Sequence, residues 1–186
     1  MVRVGEMIFD PIRKQKIIFR KTAKETRGEL VEVEAVYHPS STKPATHVHP
    51  QQEERFEVLE GSINTIIAGE KKTYQAGEIF HVPAGTTHEM WNGGTSETRV
   101  IWQTRPALHT DEFLEITLGL AQDGKTNPEG IPNLLQAAVI MWQYRREFHF
   151  VKPPLIVQRI LFGLLAFIGH LRGYHGVYTP ATHERD

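Results

Sequence analysis

The stretch HVHPQQEERFEVLEG, residues 47 to 61, sets the frame for the rest of the chain. In an extended strand, side chains two apart project to the same side. His47 and His49 therefore aim at one spot and present two imidazoles together. Two glutamates follow, and strand parity chooses between them. Glu54 falls with Phe56 and Val58, which read as core, whereas Glu53 falls with Arg55 and Glu57, which read as solvent-facing. Glu54 is the carboxylate expected to share an interior with the histidines.

A second block, GEIFHVPAGTTHEMWN, spans residues 77 to 92. Gly77 suits a turn before a strand, and Pro83-Ala84-Gly85 suits a tight turn with proline at its second position. His88 then opens the next strand with Met90 and Asn92 on its face. Three neutral imidazoles (His47, His49 and His88) and the Glu54 carboxylate would hold one divalent metal and leave coordination positions open. Such donors suit iron, manganese, nickel, copper or zinc, and the sequence does not choose among them. The remaining histidines have no partner pattern. His38, His109, His149, His170, His175 and His183 read as surface residues, and so does His81 before the Pro83 turn.

Working outward, apolar and polar residues alternate in short runs broken by Gly, Pro and Asn. In GELVEVEAVYHP, Val31, Val33, Ala35 and Tyr37 share one face, opposite Glu32 and Glu34. SINTII puts Ile63, Thr65 and Ile67 together, and TRVIWQT from Thr98 is a further strand. One face of that last strand should line the interior, so Trp102 or Gln103 is expected to touch a ligand, with Phe56 and Met90 as further contacts near the metal. Short strands at this spacing indicate a sandwich or a barrel.

The two blocks resemble the paired motifs of the cupin superfamily. The first fits G(X)5HXH(X)3,4E(X)6G from His47 to Gly61, lacking only the leading glycine, where Ser41 stands. The second fits G(X)5PXG(X)2H(X)3N throughout, from Gly77 to Asn92. The resemblance covers roughly residues 15 to 105. It implies a mainly β fold, a double-stranded antiparallel β-barrel of cupin or jelly-roll type, with a metal held by His47, His49, Glu54 and His88. It also implies a small single-domain protein, and cupins of this size often pair, so a homodimer is expected.

Near Arg105 the hydrophobic period lengthens from two to three or four. Residues 1–105 are read as the β unit, 106–171 as a helical extension on the barrel or at a subunit contact, and 172–186 as a poorly ordered tail. Thr110 can cap a first helix with Asp111 and Glu112 in its first turn and Gly124 as its stop. A second begins after Asn133, with an apolar face of Leu134, Ala137, Ala138, Met141, Tyr144 and Phe148. Pro153 and Pro154 start a third, LIVQRILFGLLAFIGHL, broken near Gly169 or Gly173. Gln158 and Arg159 leave it only about ten continuous apolar residues, short of the roughly 18 to 20 that cross a bilayer. It is read as a buried packing helix, with a dimer contact or membrane-surface docking as the alternatives, and not as a transmembrane segment.

The bulk composition narrows the function by exclusion. The 186 residues carry a formal charge of −1, so no global field recruits nucleic acid. With no cysteine, disulfides, thiolate chemistry and iron–sulfur sites are out. The amino terminus, MVRVGEMIFDPIRKQ, lacks the apolar run of a secretory signal, and a cytoplasmic location is expected. No glycine-rich loop opens a helix to cradle a nucleotide. What remains is metal chemistry on a small, partly apolar molecule: a metal-dependent oxygenase first, with Glu54 as metal ligand or proton acceptor. A non-oxidative isomerase or cyclase using the metal as Lewis acid, or a small-ligand binding module, are the alternatives.

Overall fold

The computed structural model describes residues 2–178. Among them run eleven strands and three helices: β1 (Met7–Asp10), β2 (Gln15–Lys21), β3 (Val31–Tyr37), β4 (His47–Val48), β5 (Glu53–Glu60), β6 (Ser62–Ile67), β7 (Glu70–Gln75), β8 (Ile79–Val82), β9 (His88–Trp91), β10 (Thr98–Arg105), α1 (Thr110–Gln122), α2 (Leu134–Gln143), β11 (His149–Phe150) and α3 (Leu155–Leu171). The strands form two antiparallel sheets, ordered β1-β2-β3-β10-β5-β8 and β11-β4-β9-β6-β7. The expected mainly β fold of jelly-roll type, followed by three helices, is what the chain adopts; it takes the form of a sandwich whose two sheets keep separate hydrogen-bonded ladders and face each other across the core.

Alternation builds that core. Along β5, Glu54, Phe56 and Val58 are buried while Glu53 is exposed. Ile63 and Thr65 do the same on β6. Phe56 stacks on Phe80 at 4.8 Å and on Trp102 at 5.8 Å between ring centroids. Full burial of one such side chain stabilises by about 1.5–3 kcal/mol. Glu34, on the outward-facing side of β3, is satisfied by Arg99 Nε at 3.0 Å and by Arg20.

The helices depart from expectation in instructive ways. Thr110 is not the cap of α1; His109 is, and the Thr110 hydroxyl instead accepts from Gln52 Nε2 at 2.7 Å. Gly124, at φ +66°, does stop α1, because Lys125 N can then reach back to Leu120 O. Asn133 caps α2 by accepting from Leu135 N. The α2 face agrees with expectation only in part: Ala138 and Tyr144 are buried as expected, Val139 and Ile140 are buried with them, Leu134 is exposed, and Phe148 lies beyond the helix end.

α3 ends at Gly173, φ +81°, with Tyr174 N bonded to Gly169 O. Gly169 itself sits inside the helix for a packing reason. A Cβ there would come within 2.7 Å of Val139 Cγ2 and 3.1 Å of Leu135 O, so glycine lets α3 lie close on α2. The expectation that α3 is buried is corrected, since only Gln158, Ala166 and Gly169 are buried along it. The expected poorly ordered tail begins with residues that pack: Tyr144 Oη donates to Gly176 O, and Tyr178 Oη donates to Asp123. Residues 179–186, including His183, lie outside the described residues. No helix among the described residues is long and apolar enough to cross a membrane.

Candidate metal centre

Register brings the two motif blocks together. β4 pairs with β9 so that His47 lies opposite His88, and the parity of β4 puts His49 on the same side as His47. Glu54 arrives from the facing sheet, on β5, between Val82 of β8 and Thr104 of β10. The site thus spans the sandwich, with three imidazoles on one wall and one carboxylate on the other.

Candidate ligand atoms of His47, His49 and His88 all lie within 4.8 Å of one another. Glu54 closes the group: its Oε1 is 3.4 Å from His49 Nε2 and its Oε2 is 2.9 Å from His88 Nε2. His49, Glu54 and His88 are buried, and His47 is partly open.

Each imidazole is oriented through its other nitrogen. Nδ1 of His47 faces Ala45 O at 2.9 Å, Nδ1 of His49 faces Glu147 O at 2.6 Å, and Nδ1 of His88 faces Thr86 O at 3.1 Å. A carbonyl only accepts, so each Nδ1 carries the proton and donates it. In the neutral rings each Nε2 is then a lone pair. Lone pairs and a carboxylate that face one another without a donor repel unless a cation lies among them. The Glu54 carboxylate supports this account, because Oε2 makes no aligned hydrogen bond despite its short approach to His88. The residues present therefore fit a metal: N and O donors, ring nitrogens fixed from behind, and an orphaned buried oxygen.

The electrostatics agree. Burial pushes His47 down to about 3, aided by His88 and His49, and burial also lowers His49. Burial alone would raise Glu54, but His49, His88 and His47 together outweigh it and hold the carboxyl at about 2. Burial likewise opposes charge on His88, yet the contact with Glu54 prevails and raises it. Tyr37, buried nearby, is pushed up by burial and by the Glu54 charge, and stays protonated.

The expected ligand contacts divide. Trp102 reaches the site, donating Nε1–H to Glu54 Oε1 at 2.9 Å. Gln103 does not. One residue along β10 it points to the other face, where it donates to Glu32 Oε2 at 2.5 Å and accepts from Arg105. Phe56 and Met90 sit two residues from Glu54 and His88 within the hydrophobic core. His81 is exposed.

Two contributors were not foreseen, and both come from the helical extension. Glu147 orients His49 through its backbone carbonyl, from 98 residues away in sequence. Phe148 stacks on His47 with ring centroids 4.9 Å apart. β11, which follows, pairs with β4 and places Phe150 opposite His47. A carbonyl leaves no signature in a sequence; the run Phe148-His149-Phe150 was the one signal available.

A jelly-roll sandwich with three interior histidines within metal-binding reach is the class that this fold and site define. The family model for the cupin domain matches residues 33–104, which contain all four residues of the site. Residues 33–104 thus match the cupin domain family. A germin-like protein, subfamily T member 2, of Arabidopsis thaliana is 33% identical over 90 residues, covering 44% of this chain and 39% of that protein. The chain thus matches about two fifths of the length of this curated relative. Among solved structures, an RmlC-like cupin from Shewanella frigidimarina has a TM-score of 0.49 at 20% identity, covering 57% of this chain and 88% of that one. The "predicted oxalate decarboxylase" of Thermotoga maritima has the same TM-score at 16% identity, covering 57% and 98%.

Proposed function

We propose that the chain holds one divalent transition metal through His47, His49, Glu54 and His88 and acts as a metal-dependent oxygenase on a small, partly apolar molecule. The observation that carries this reading is the shared orientation of the three imidazoles: every Nδ1 is committed to a backbone carbonyl, which leaves three Nε2 atoms and an orphaned Glu54 oxygen for one cation. When bound, a redox-active metal supplies one-electron chemistry with dioxygen.

The chain's own residues do the rest. Trp102 fixes Glu54 Oε1, so Oε2 is the oxygen free to bind the metal or, when released, to accept a proton from substrate. Phe148 covers His47, the one member of the four with appreciable exposure, and limits water entry on that side. Phe56, Phe80 and Met90, buried in the sandwich core, would offer a substrate apolar surroundings.

The test is elemental analysis of the purified protein with oxygen uptake followed on the same sample. Near one iron, manganese, copper or nickel per chain, with uptake on a small-molecule panel, is expected. His49→Ala and His88→Ala should each lose most metal while staying folded; full retention in both sinks the ligand set. Glu54→Gln should lower metal content far more than Glu53→Gln. Tightly held zinc with no oxygen consumption would move the assignment to a non-oxidative enzyme or a binding module.

A further inference from the structure

α3 is apolar on two opposite sides. One side packs on α2 through Gly163, Ala166 and Gly169. The other faces solvent, and along it Ile156, Ile160, Leu164, Phe167 and Leu171 are 59–72% exposed. Their spacing of three or four forms one stripe. Exposed contiguous apolar surface of this kind marks a contact that the isolated chain does not make.

A second observation adjoins the first. Beside the start of α3 lies an opening of about 360 Å³, lined by Arg145, Arg146 and Arg159 together with Trp142 and Leu155. No carboxylate among the described residues pairs with any of the three arginines. Arg145 rests over the Trp142 ring and donates to Trp142 O, and Arg146 donates to Gln51 Oε1. Leu155 and Arg159 belong both to this opening and to α3, so the cationic pocket lies at the start of the helix that carries the apolar stripe.

The charge chooses the occupant. From Arg145 to Tyr178 the chain carries five Lys and Arg residues, and its one acidic residue, Glu147, is 3% exposed. The same segment offers no exposed carboxylate with which a second copy could offset these charges. An anionic lipid surface offsets them directly. Guanidinium groups take phosphate oxygens in paired hydrogen bonds, while a helix of 17 residues lies in the interface plane with its apolar stripe among the acyl chains.

We propose that α3 and the arginine-lined pocket at its start dock on an anionic phospholipid surface, the pocket taking a headgroup phosphate and the stripe entering the bilayer face. The helix lies on the membrane and does not cross it. This is independent of the metal chemistry proposed above.

Flotation of the full chain with vesicles of phosphatidylcholine alone, or of phosphatidylcholine mixed with phosphatidylglycerol, tests it. The protein should float with the mixed vesicles only, and high salt should release it. Leu164→Glu with Phe167→Glu, and separately Arg145→Gln with Arg146→Gln and Arg159→Gln, should each weaken binding about tenfold or more. Both sets should keep far-UV dichroism and metal content. Wild-type protein that ignores both vesicle types would overturn the proposal. Loss of a dimer in the α3 variant without vesicle binding would assign the stripe to a second copy. Binding of inorganic phosphate by the soluble protein, without flotation, would assign the pocket to a free anion.

Discussion

β5 and α3 are both rich in apolar residues and use them in opposite directions. Phe56 and Val58 on β5 are each 1% exposed and close against the facing sheet, so that surface is complete within one chain. Leu164 and Phe167 on α3 are 64% and 66% exposed and leave most of their surface open to solvent. The sandwich is held by contacts it makes with itself. In the extension α1 is buried on two sides, against the sandwich and against Ile140 and Tyr144, whereas α3 is held by one side and its second side is left for another surface. Stability and interaction are thus separated along the chain, and substitutions can pull them apart.

The largest effect should come from the sandwich. Phe56→Ala removes a ring stacked between Phe80 and Trp102 and should cost about 3–5 kcal/mol in denaturant unfolding. A loss below about 1 kcal/mol would mean that the two sheets do not depend on that stack. Next comes the joint between the helices. Gly169→Ala places a methyl against Val139 and the Leu135 carbonyl, and should cost about 1–3 kcal/mol or shift α3 off α2. An unchanged melting curve with unchanged protease resistance of α3 would show that the close approach is not needed.

A smaller effect is expected inside the site. Trp102→Phe keeps the ring stack but removes the donor to Glu54 Oε1, so metal affinity should fall about tenfold with little change in fold. Competition with a chelator reads this out, and equal affinity would show that Glu54 is positioned without the indole. The smallest belongs to the exposed stripe: Leu164→Ser should change stability by no more than about 0.5 kcal/mol. A large loss there would erase the contrast between the two regions.

The site was readable in the sequence where strand parity applies. His47 and His49 two apart, Glu54 in step with Phe56, and His88 at a fixed distance after the Pro83 turn each follow from the period of two. Parity ran out on β10, where Val100, Ile101, Trp102 and Gln103 carry no clear alternation. Trp102 reaches Glu54 and its neighbour Gln103 points away, and nothing in the run told them apart. α3 was opaque for the converse reason. A helix apolar around most of its circumference gives no face to choose, and only the packed Gly163, Ala166 and Gly169 reveal which side is covered. The roles of Glu147 and Phe148 depended on a chain reversal that brings residue 147 back to residue 49, and local pattern does not encode it.

The hydrogen bond from His49 Nδ1 to the Glu147 carbonyl has a consequence for thermodynamic linkage. If seating Glu147 favours the ring orientation that binds metal, then metal binding must favour seated Glu147 by the same free energy. Loading the site would then protect the segment around β11 from proteolysis and hydrogen exchange, while cutting the chain before Glu147 would loosen the metal. The extension and the ion would report on each other's presence, although no residue of the extension is among the four proposed metal ligands.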